Sequence, residues 1–446
     1  MPSIIKVWVD ILMNEPSFRK QLSAPGLLSE ARRCFEKIPD NAGNAIPLAE
    51  HLMSGLALFG LKYSSLLQFD KDRSSETIQA NLKALYGIDR APSDTYFRER
   101  LDNLDPQQFR CVYKCLFSHL QRSKELERFS YLDGHYLLSL DGTGYFSSPT
   151  VHCEHCGEKH HRNGTITYYH QMLGAVLIHP DIKEVIPLAP EPILKQDGQS
   201  KNDCERNAAK RFLKDLRREH PHLKLIVVED ALASNAPHIR LLQHLDIRFI
   251  LGVKPADHKF LFDWVGNSAD TAEYEFTDEQ GYHHRFRYLN GAPLNEANSE
   301  LKVNFLEYWR TSPKGKVNHF SWVTDIPIDE TNLMKLMRGG CARWKIENET
   351  FNTLKNQGYH FEHNFGHGYK HLSTVLMHLM MLAFLIDQIQ QLSCRVFQAA
   401  LAAAQRKSYL WRNLRSRFDL CRIASWEALY DSIIHPPSID LGYDTS

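Results

Sequence analysis

The sequence lacks an excess of charge of either sign. Its 53 lysine and arginine residues balance 53 aspartate and glutamate residues, so the chain as a whole generates no field that attracts nucleic acid or a membrane surface. Any such binding must therefore depend on local patches. The composition also lacks the biases of collagen, of low-complexity disordered chains and of disulfide-rich secreted scaffolds, which excludes these classes.

The sequence also lacks regularly spaced cysteines and, in its first residues, the pattern of a signal peptide. The nine cysteines are an odd number at irregular spacing, so we expect reduced thiols in a cytoplasmic protein. The first residues lack a charged segment followed by a long apolar run. The most apolar stretch, 372–392, includes His378 and Asp387, and we interpret it as a buried core helix.

What the sequence does contain is enough apolar residues, 43%, to form sizeable cores. Its 446 residues favour about two to three domains, and no internal repeat is visible. Changes in hydrophobic period divide the chain into regions. The predicted regions are helical over 1–130, α/β over 131–268 with a Cys/His insertion near 150–166, β-rich over 269–330, helical over 331–430, and a tail over 431–446.

The first region contains a candidate DNA-binding segment. One helix is predicted to end at Gly87, a residue type typical of helix C-termini, and the next begins at Ser93 or Asp94. Two helices joined by a short turn, with Arg98 and Arg100 on the second, could contact DNA. The alternative is an ordinary helical domain with a solvated charged face.

The second region alternates strands and helices. The run through Val228 is continuously apolar, which is typical of a strand buried on both faces. Consecutive strands followed by strand–helix alternation indicate a mixed sheet with parallel crossovers, the order of a ribonuclease-H-like core. The predicted strands are 136–140, 168–178, 184–188, 223–228 and 248–253, with helices over 203–219 and 237–245.

Acidic residues follow two of these strands. Asp141 comes directly after the first strand and Asp230 after the fourth, and carboxylates at strand ends project into a crevice at the sheet edge. A third acid, Glu347, stands four residues after Arg343 on a predicted helix over 343–355. Three oxygen donors from distant positions suit a pair of Mg²⁺ or Mn²⁺ ions for phosphoryl displacement. Each acid taken singly could equally be a turn or cap residue.

Together these segments resemble the DDE transposases of bacterial insertion sequences, of the cut-and-paste type with a β-strand insertion before the final glutamate. The resemblance covers about residues 130–370 and implies a ribonuclease-H-like core that uses Mg²⁺ or Mn²⁺ to cleave DNA at transposon ends. It further implies transfer of the freed 3′-hydroxyl to target DNA by a homodimer that acts at the bacterial nucleoid and has no membrane partner. The matching segments are 141–143, 230, 343–347 and 354–355, and the segments 203–207, 235–238 and 358–363 are typical of one branch.

The resemblance assigns roles residue by residue. Asp141 and Asp230 would be the metal-binding aspartates, and Glu347 would be the metal-binding glutamate. Arg343 and Lys355 would contact DNA phosphates near the scissile bond.

Two positions depart from the family pattern. Gly340 stands where the signature often has tyrosine, and Lys355 lies one residue farther from Glu347 than usual. Glu349 therefore remains a rival for the third carboxylate, although the spacing from the arginine favours Glu347. Glu229 is a weaker rival of the second aspartate, because neighbouring side chains of a strand point to opposite faces.

A separate insertion carries a Cys-x2-Cys pair, Cys153 and Cys156, between the first two strands. Two thiolates with two further nitrogen or sulfur donors make a tetrahedral structural zinc site. We name His161 and His170 as the remaining ligands; the alternative is a reduced surface pair without metal. The competing ligands are His152, His160 and Cys204.

Three histidines recur at four-residue steps after the last acidic segment. On a helix, His363, His367 and His371 would share a face and could bind a metal. Gly366 and Gly368 weaken a helix there, so we favour surface or DNA-facing histidines.

Two other functions stay open on the sequence. One is a catalytically inactive, transposase-derived DNA-binding protein, which would bind DNA in a salt-dependent way without cleaving it. The other is a hydrolase with a zinc active centre in the Cys/His insertion. It is the weaker of the two, because Cys153 and Cys156 leave no evident open coordination position.

Overall fold

The computed structural model describes residues 21–40, 46–195 and 204–438, which form a mixed α/β fold with a large mixed sheet. Two compact units divide these residues. Each unit is assembled from segments that lie far apart in the chain. Three parts of the chain named in the sequence predictions lie outside the described residues. They are the N-terminal stretch that lacks a signal-peptide pattern, Asp203, and 439–446 at the end of the predicted tail. The first unit contains 21–40, 46–127, 145–169 and 352–438, and the second contains 128–144, 170–195 and 204–351.

The first unit begins with a series of helices. As predicted, one of them ends at Gly87, which adopts a left-handed conformation (φ 67°). The amides of Gly87 and Ile88 donate to the carbonyls of Lys83 and Leu82, which satisfies the end of that helix. Ser93 precedes the next helix, also as predicted. The helices are α1 (Ala24–Phe35), α2 (Leu48–Gly60), α3 (Leu66–Asp72), α4 (Glu76–Tyr86), α5 (Asp94–Asp102) and α6 (Arg110–Arg122).

The first strands are longer than the hydrophobic pattern predicts. The first was expected to end before Asp141, but it continues to Ser148 because a long neighbouring strand lies beside it in the sheet. Asp141 therefore lies within a strand rather than after one. A short strand, 191–193, was not expected. The strands are β1 (Tyr136–Ser148), β2 (Gly157–His160), β3 (Ile166–His179), β4 (Ile182–Pro187) and β5 (Glu191–Ile193).

The centre of the second unit is a parallel arrangement of three strands. The strand over 225–229, which is the fourth of the predicted strands, is buried at every position. It pairs in parallel with a strand on each side, which confirms the predicted parallel crossovers. A helix over 259–267 follows that the sequence pattern missed. The elements are α7 (Glu205–Glu219), β6 (Leu225–Glu229), α8 (Ala236–His244), β7 (Arg248–Gly252) and α9 (Lys259–Asn267).

The β-rich region extends this same sheet. Its strands pair antiparallel through turns at 278–281 and 312–315, as predicted, and its last strand pairs with β7. The strand order in the second unit is therefore β3-β1-β6-β7-β11-β10-β9-β8, with β4 and β5 paired to β3. The added strands are β8 (Ala272–Thr277), β9 (His283–Pro293), β10 (Lys302–Thr311) and β11 (Val317–Thr324).

The predicted helix over 343–355 is not continuous. A 3-10 turn, Ala342–Trp344, is followed by a π-helical turn, Ile346–Phe351, before regular helix resumes. Such π-helical turns often occur at functional sites. The helices on either side are α10 (Leu333–Cys341) and α11 (Asn352–Asn356).

The last helices belong to the first unit. The helix over 372–393 is long and apolar enough to cross a membrane, but all its residues are buried, which confirms the predicted core helix. Residues 357–371 before it are not helical, so the shared helical face considered for His363, His367 and His371 does not exist. His367 is buried rather than on the surface. The helices are α12 (Leu372–Ser393), α13 (Arg395–Ala404), α14 (Lys407–Leu420) and α15 (Trp426–Ile434).

Candidate active site

Asp141 and Asp230 line one cleft in the second unit. Strands β1 and β6 run parallel, and Ser139 pairs with Val228. Carrying this register two residues further brings Asp141 level with Asp230, on chains about 4.8 Å apart. Both residues line this cleft, next to the apolar Leu140 and Leu173. The Asp230 carboxylate also accepts a hydrogen bond from the amide of Leu232 (2.9 Å), which orients it at the end of the strand.

Arg343 connects Asp141 to Glu347. Its Nη1 lies 3.5 Å from Asp141 Oδ2 and 3.1 Å from Glu347 Oε1, so the two carboxylates flank one guanidinium group. The Arg343 carbonyl accepts a hydrogen bond from Ser139 Oγ (3.2 Å), which holds the 3-10 turn against β1. The acid at position 347 is therefore brought to Asp141 by a rigid strand and its neighbouring turn.

Glu349 points into a different environment. Its charge acts on Lys345, whose Nζ donates to the carbonyl of Ile182 (2.7 Å) beside strand β4. The contacts with Arg343 and Asp141 belong to Glu347. Of the two rivals for the third carboxylate, Glu347 is thus the one beside Asp141.

Glu205, which sequence reasoning left without a role, also belongs to this cleft. It is the first residue of helix α7, and its carboxylate lies against the backbone of Gly142, where a methyl group would overlap it. The absence of a side chain at Gly142 therefore admits a further acid beside Asp141. The sequence offered one indication that Glu205 has a role: it lies in the segment 203–207, which resembles one branch of the transposases.

The cleft concentrates negative charge. Burial, together with the charges of Glu347 and Glu205, raises the pKa of Asp141 to about 7 even though Arg343 opposes the shift. Burial also raises the pKa of Glu205, with added repulsion from Asp230 and Glu229. Arg343 and Arg206 do not neutralise the acids Asp141, Asp230, Glu347 and Glu205, and uncompensated carboxylate oxygens are the donors that hard divalent cations prefer.

Glu229, the weaker rival of Asp230, also lines this cleft, but it has a partner there. Its carboxylate is buried and lies 2.6 Å from Nε2 of His238 on helix α8. Burial disfavours the charged imidazole, but Glu229 outweighs burial, and the pKa of His238 is raised. Glu229 thus already has a cationic partner, whereas Asp230 accepts only a backbone amide among the hydrogen bonds described for it.

The other residues named for DNA contact form ion pairs within the first unit. Lys355 Nζ lies 2.8 Å from Glu362, and Arg98 Nε lies 2.5 Å from Asp94. Arg100 pairs with Asp40. In the second unit, helix α7 presents exposed basic side chains beside the cleft, and Arg206 lines it. The exposed bases of α7 are Arg206, Lys210, Lys214 and Arg218.

A second group of side chains could bind a metal. Donor atoms of Cys153, Cys156, His170 and His367 all lie within 4.8 Å of one another. The first, second and fourth of these residues belong to the first unit, and His170 directly follows its residue Tyr169 in strand β3. This set is suited to a metal such as zinc.

His161, named from the sequence as a zinc ligand, is outside the group. Its Nε2 instead lies 2.8 Å from Thr167 Oγ1 across the hairpin. His367 takes its place, although more than two hundred residues separate it from the cysteines in the chain, because the non-helical segment 357–371 folds back onto the hairpin within the first unit.

Comparison of the sequence with protein-family models and with curated proteins finds no match.

Proposed function

We propose that the protein is a DDE-type DNA transposase with a ribonuclease-H-like core. It would cleave DNA at transposon ends and transfer the 3′-hydroxyl to target DNA. The observation that carries this proposal is the position of Asp141, which shares a cleft with Asp230 and a guanidinium group with Glu347. The parallel strands β1, β6 and β7, with antiparallel β3 beside them, support the proposed core.

The donor chemistry of the cleft fits Mg²⁺ or Mn²⁺. Asp141, Asp230 and Glu347 would hold the ions, and the raised pKa of Asp141 supports a site with negative charge left to neutralise. When bound, a pair of such ions activates the attacking oxygen and stabilises the leaving oxygen of a phosphodiester. Arg343 keeps two of the acids close together and would contact a DNA phosphate that enters the cleft.

The basic face of α7 supplies the local positive patch that a neutral chain needs to bind DNA. Lys210, Lys214 and Arg218 are exposed on the helix that also carries Glu205. Lysine and arginine bind the phosphate backbone with an affinity that falls as salt rises. Because a transposon has two ends, a homodimer would hold both in one complex.

The first test compares Glu347→Gln with its matched control, Glu349→Gln. Each protein is incubated with Mg²⁺ and labelled DNA that carries the sequences on both sides of its own gene. We expect the parent protein to cut at discrete positions on both flanks. Glu347→Gln should reduce the cleavage rate by more than about 100-fold, the upper range for residues that only support a metal ligand. Glu349→Gln should stay within about threefold, as expected of a residue without transition-state contact.

Other outcomes of this comparison have distinct meanings. Loss of cleavage only in Glu349→Gln would move the third carboxylate to that residue. Full activity in both variants would contradict the proposed carboxylate set. Salt-dependent DNA binding by the parent protein with no cleavage in Mg²⁺ or Mn²⁺ would favour the inactive DNA-binding protein.

A second prediction concerns Glu205. Glu205→Gln should lower the cleavage rate about 10- to 100-fold at low Mg²⁺, because the variant removes one charge that attracts the cation. Raising the Mg²⁺ concentration should recover part of the rate. Glu219→Gln, at the other end of α7, is the control and should leave the Mg²⁺ dependence unchanged. Equal Mg²⁺ dependence in the two variants would exclude a role for Glu205 at the metal.

A further inference from the structure

We propose that Cys153, Cys156, His170 and His367 bind one Zn²⁺ ion with a structural role. The four donor atoms lie within 4.8 Å of one another, a cluster that a single ion can bridge with small side-chain adjustments. Two sulfur and two imidazole donors form a tetrahedral set that favours zinc over magnesium or calcium. This inference goes beyond the proposed function and does not depend on it.

The local backbone prepares the two cysteines. The amide of Cys156 donates to the carbonyl of Cys153 (3.2 Å), and this tight turn puts both sulfur atoms on one side, 3.9 Å apart. Cys156 Sγ lies 3.3 Å from Nε2 of His367. Three of the four donors are therefore already in mutual contact.

The histidine His367 is held in the tautomer that a metal needs. Its Nδ1 lies 2.9 Å from the carbonyl of Gly368, and since a carbonyl can only accept, Nδ1 carries the proton. Nε2, the atom that faces Cys156, is therefore the nitrogen through which the neutral imidazole would bind a metal. The ring of Phe146 packs against the imidazole with centroids 4.5 Å apart, which fixes its orientation.

Burial indicates a structural rather than a catalytic ion. Cys156, His170 and His367 are 2%, 1% and 7% exposed. Four protein donors complete a tetrahedral shell, so no position is left open for water or substrate. This closed shell argues against the zinc-dependent hydrolase considered from the sequence.

The ion would join two parts of the first unit that lack regular structure at this point. The segment before α12 is irregular, and on its far side Asp102 accepts the amides of Lys370, His371 and Leu372 (2.9–3.0 Å). Zinc at His367 would fix the segment to the hairpin over 145–169. The part of the segment next to α12 would then be held at His367 as well as at 370–372, although it has neither helix nor strand.

The test measures metal in the purified full-length protein after growth with added zinc. We expect about one zinc per chain in the parent protein, and a loss of at least about tenfold in Cys153→Ser and His367→Ala. His161→Ala is the matched control, because His161 lies on the same hairpin but outside the group, and it should retain zinc. Removing zinc with a chelator should lower the Tm of the parent protein and of His161→Ala but not that of His367→Ala.

Replacement of zinc by Co²⁺ in the parent protein gives a test that needs no variant. Tetrahedral cobalt with two thiolate ligands should give intense visible bands and thiolate charge-transfer absorption. A parent protein that retains no zinc and shows no such spectrum would overturn the proposal, as would zinc loss in His161→Ala with full retention in His367→Ala. These measurements do not involve DNA, so their outcome is separate from that of the cleavage assay.

Discussion

Replacing Asp141 with asparagine is expected to abolish DNA cleavage and to stabilise the metal-free protein. Asp141 is the acid that both other carboxylates approach, through the shared cleft and through Arg343. If Asp141 is a metal ligand, as proposed, its loss should cost more than the roughly 10- to 100-fold typical of residues that support a ligand. We therefore expect a cleavage rate reduced by more than about 100-fold in the assay on gene-flanking DNA.

The expected gain in stability follows from the pKa of Asp141, which is raised from 3.8 to about 7. The folded protein holds this proton more tightly than the unfolded chain does, so ionisation favours unfolding. The penalty is absent below about pH 4, grows as the pH rises, and is complete above about pH 7. Asparagine at this position cannot ionise, so the variant does not have this loss of stability at high pH.

The size of this gain can be estimated. One pKa unit corresponds to about 1.4 kcal/mol, and the Asp141 side chain is 24% exposed, so solvent screens part of the effect. We expect Asp141→Asn to raise the free energy of unfolding by about 1–3 kcal/mol at pH 8 in chelator. The difference from the parent protein should vanish near pH 4.

Urea unfolding at several pH values measures this effect. Asp431→Asn on helix α15 is a suitable control, since Asp431 is exposed and belongs to neither the cleft nor the basic face of α7, and it should change neither cleavage nor the pH profile. An Asp141→Asn protein that loses cleavage because it unfolds would contradict the interpretation. The combination of inactivity with higher stability is the result expected of a charged catalytic cleft.

Replacing Lys62 with methionine is expected to be the most destabilising of the changes considered. Lys62 Nζ lies 2.7 Å from Asp387 Oδ2 in the core of the first unit, and the two side chains are 4% and 8% exposed. Tyr359 also donates to this carboxylate (2.5 Å). Lys62→Met would leave the Asp387 charge buried without a cation, at a cost of about 3–5 kcal/mol.

Two comparisons identify the cause of this loss. The double variant Lys62→Met with Asp387→Asn removes the stranded charge while leaving an acceptor for Tyr359, and it should recover more than half of the lost stability. The exposed pair Lys83–Asp89 is the control, because its side chains are 71% and 73% exposed, and Lys83→Met should cost less than about 1 kcal/mol. Urea unfolding measures all three variants. A Lys62→Met protein no less stable than Lys83→Met would contradict the buried-pair argument.

Local sequence patterns predict the elements that depend on neighbouring residues. Gly87 ends a helix through its own backbone conformation, and the apolar run through Val228 forms a strand buried on both faces. The turns at 278–281 and 312–315 likewise follow from residues within the turns. Each of these features depends on only a few adjacent residues, so the local sequence is enough to predict it.

Elements that depend on distant partners were predicted less well. Strand β1 continues past Asp141 because strand β3 lies beside it in the sheet. The hydrophobic pattern over 136–140 holds no information about that neighbouring strand. The π-helical turn Ile346–Phe351 replaces part of an expected regular helix. Its residues show helical spacing in the sequence, and nothing in that spacing distinguishes the two helical forms.

The sequence by itself determined that Asp141 and Asp230 each follow the apolar run of a strand and that Glu347 stands four residues after Arg343, because hydrophobic period and residue spacing are local properties. The tertiary structure alone decided that Glu205 lies beside Gly142, and that His367 rather than His161 joins the two cysteines. Both contacts join segments that are far apart in the chain. Such contacts depend on how whole helices and strands pack against one another. The local sequence of either segment therefore does not predict them.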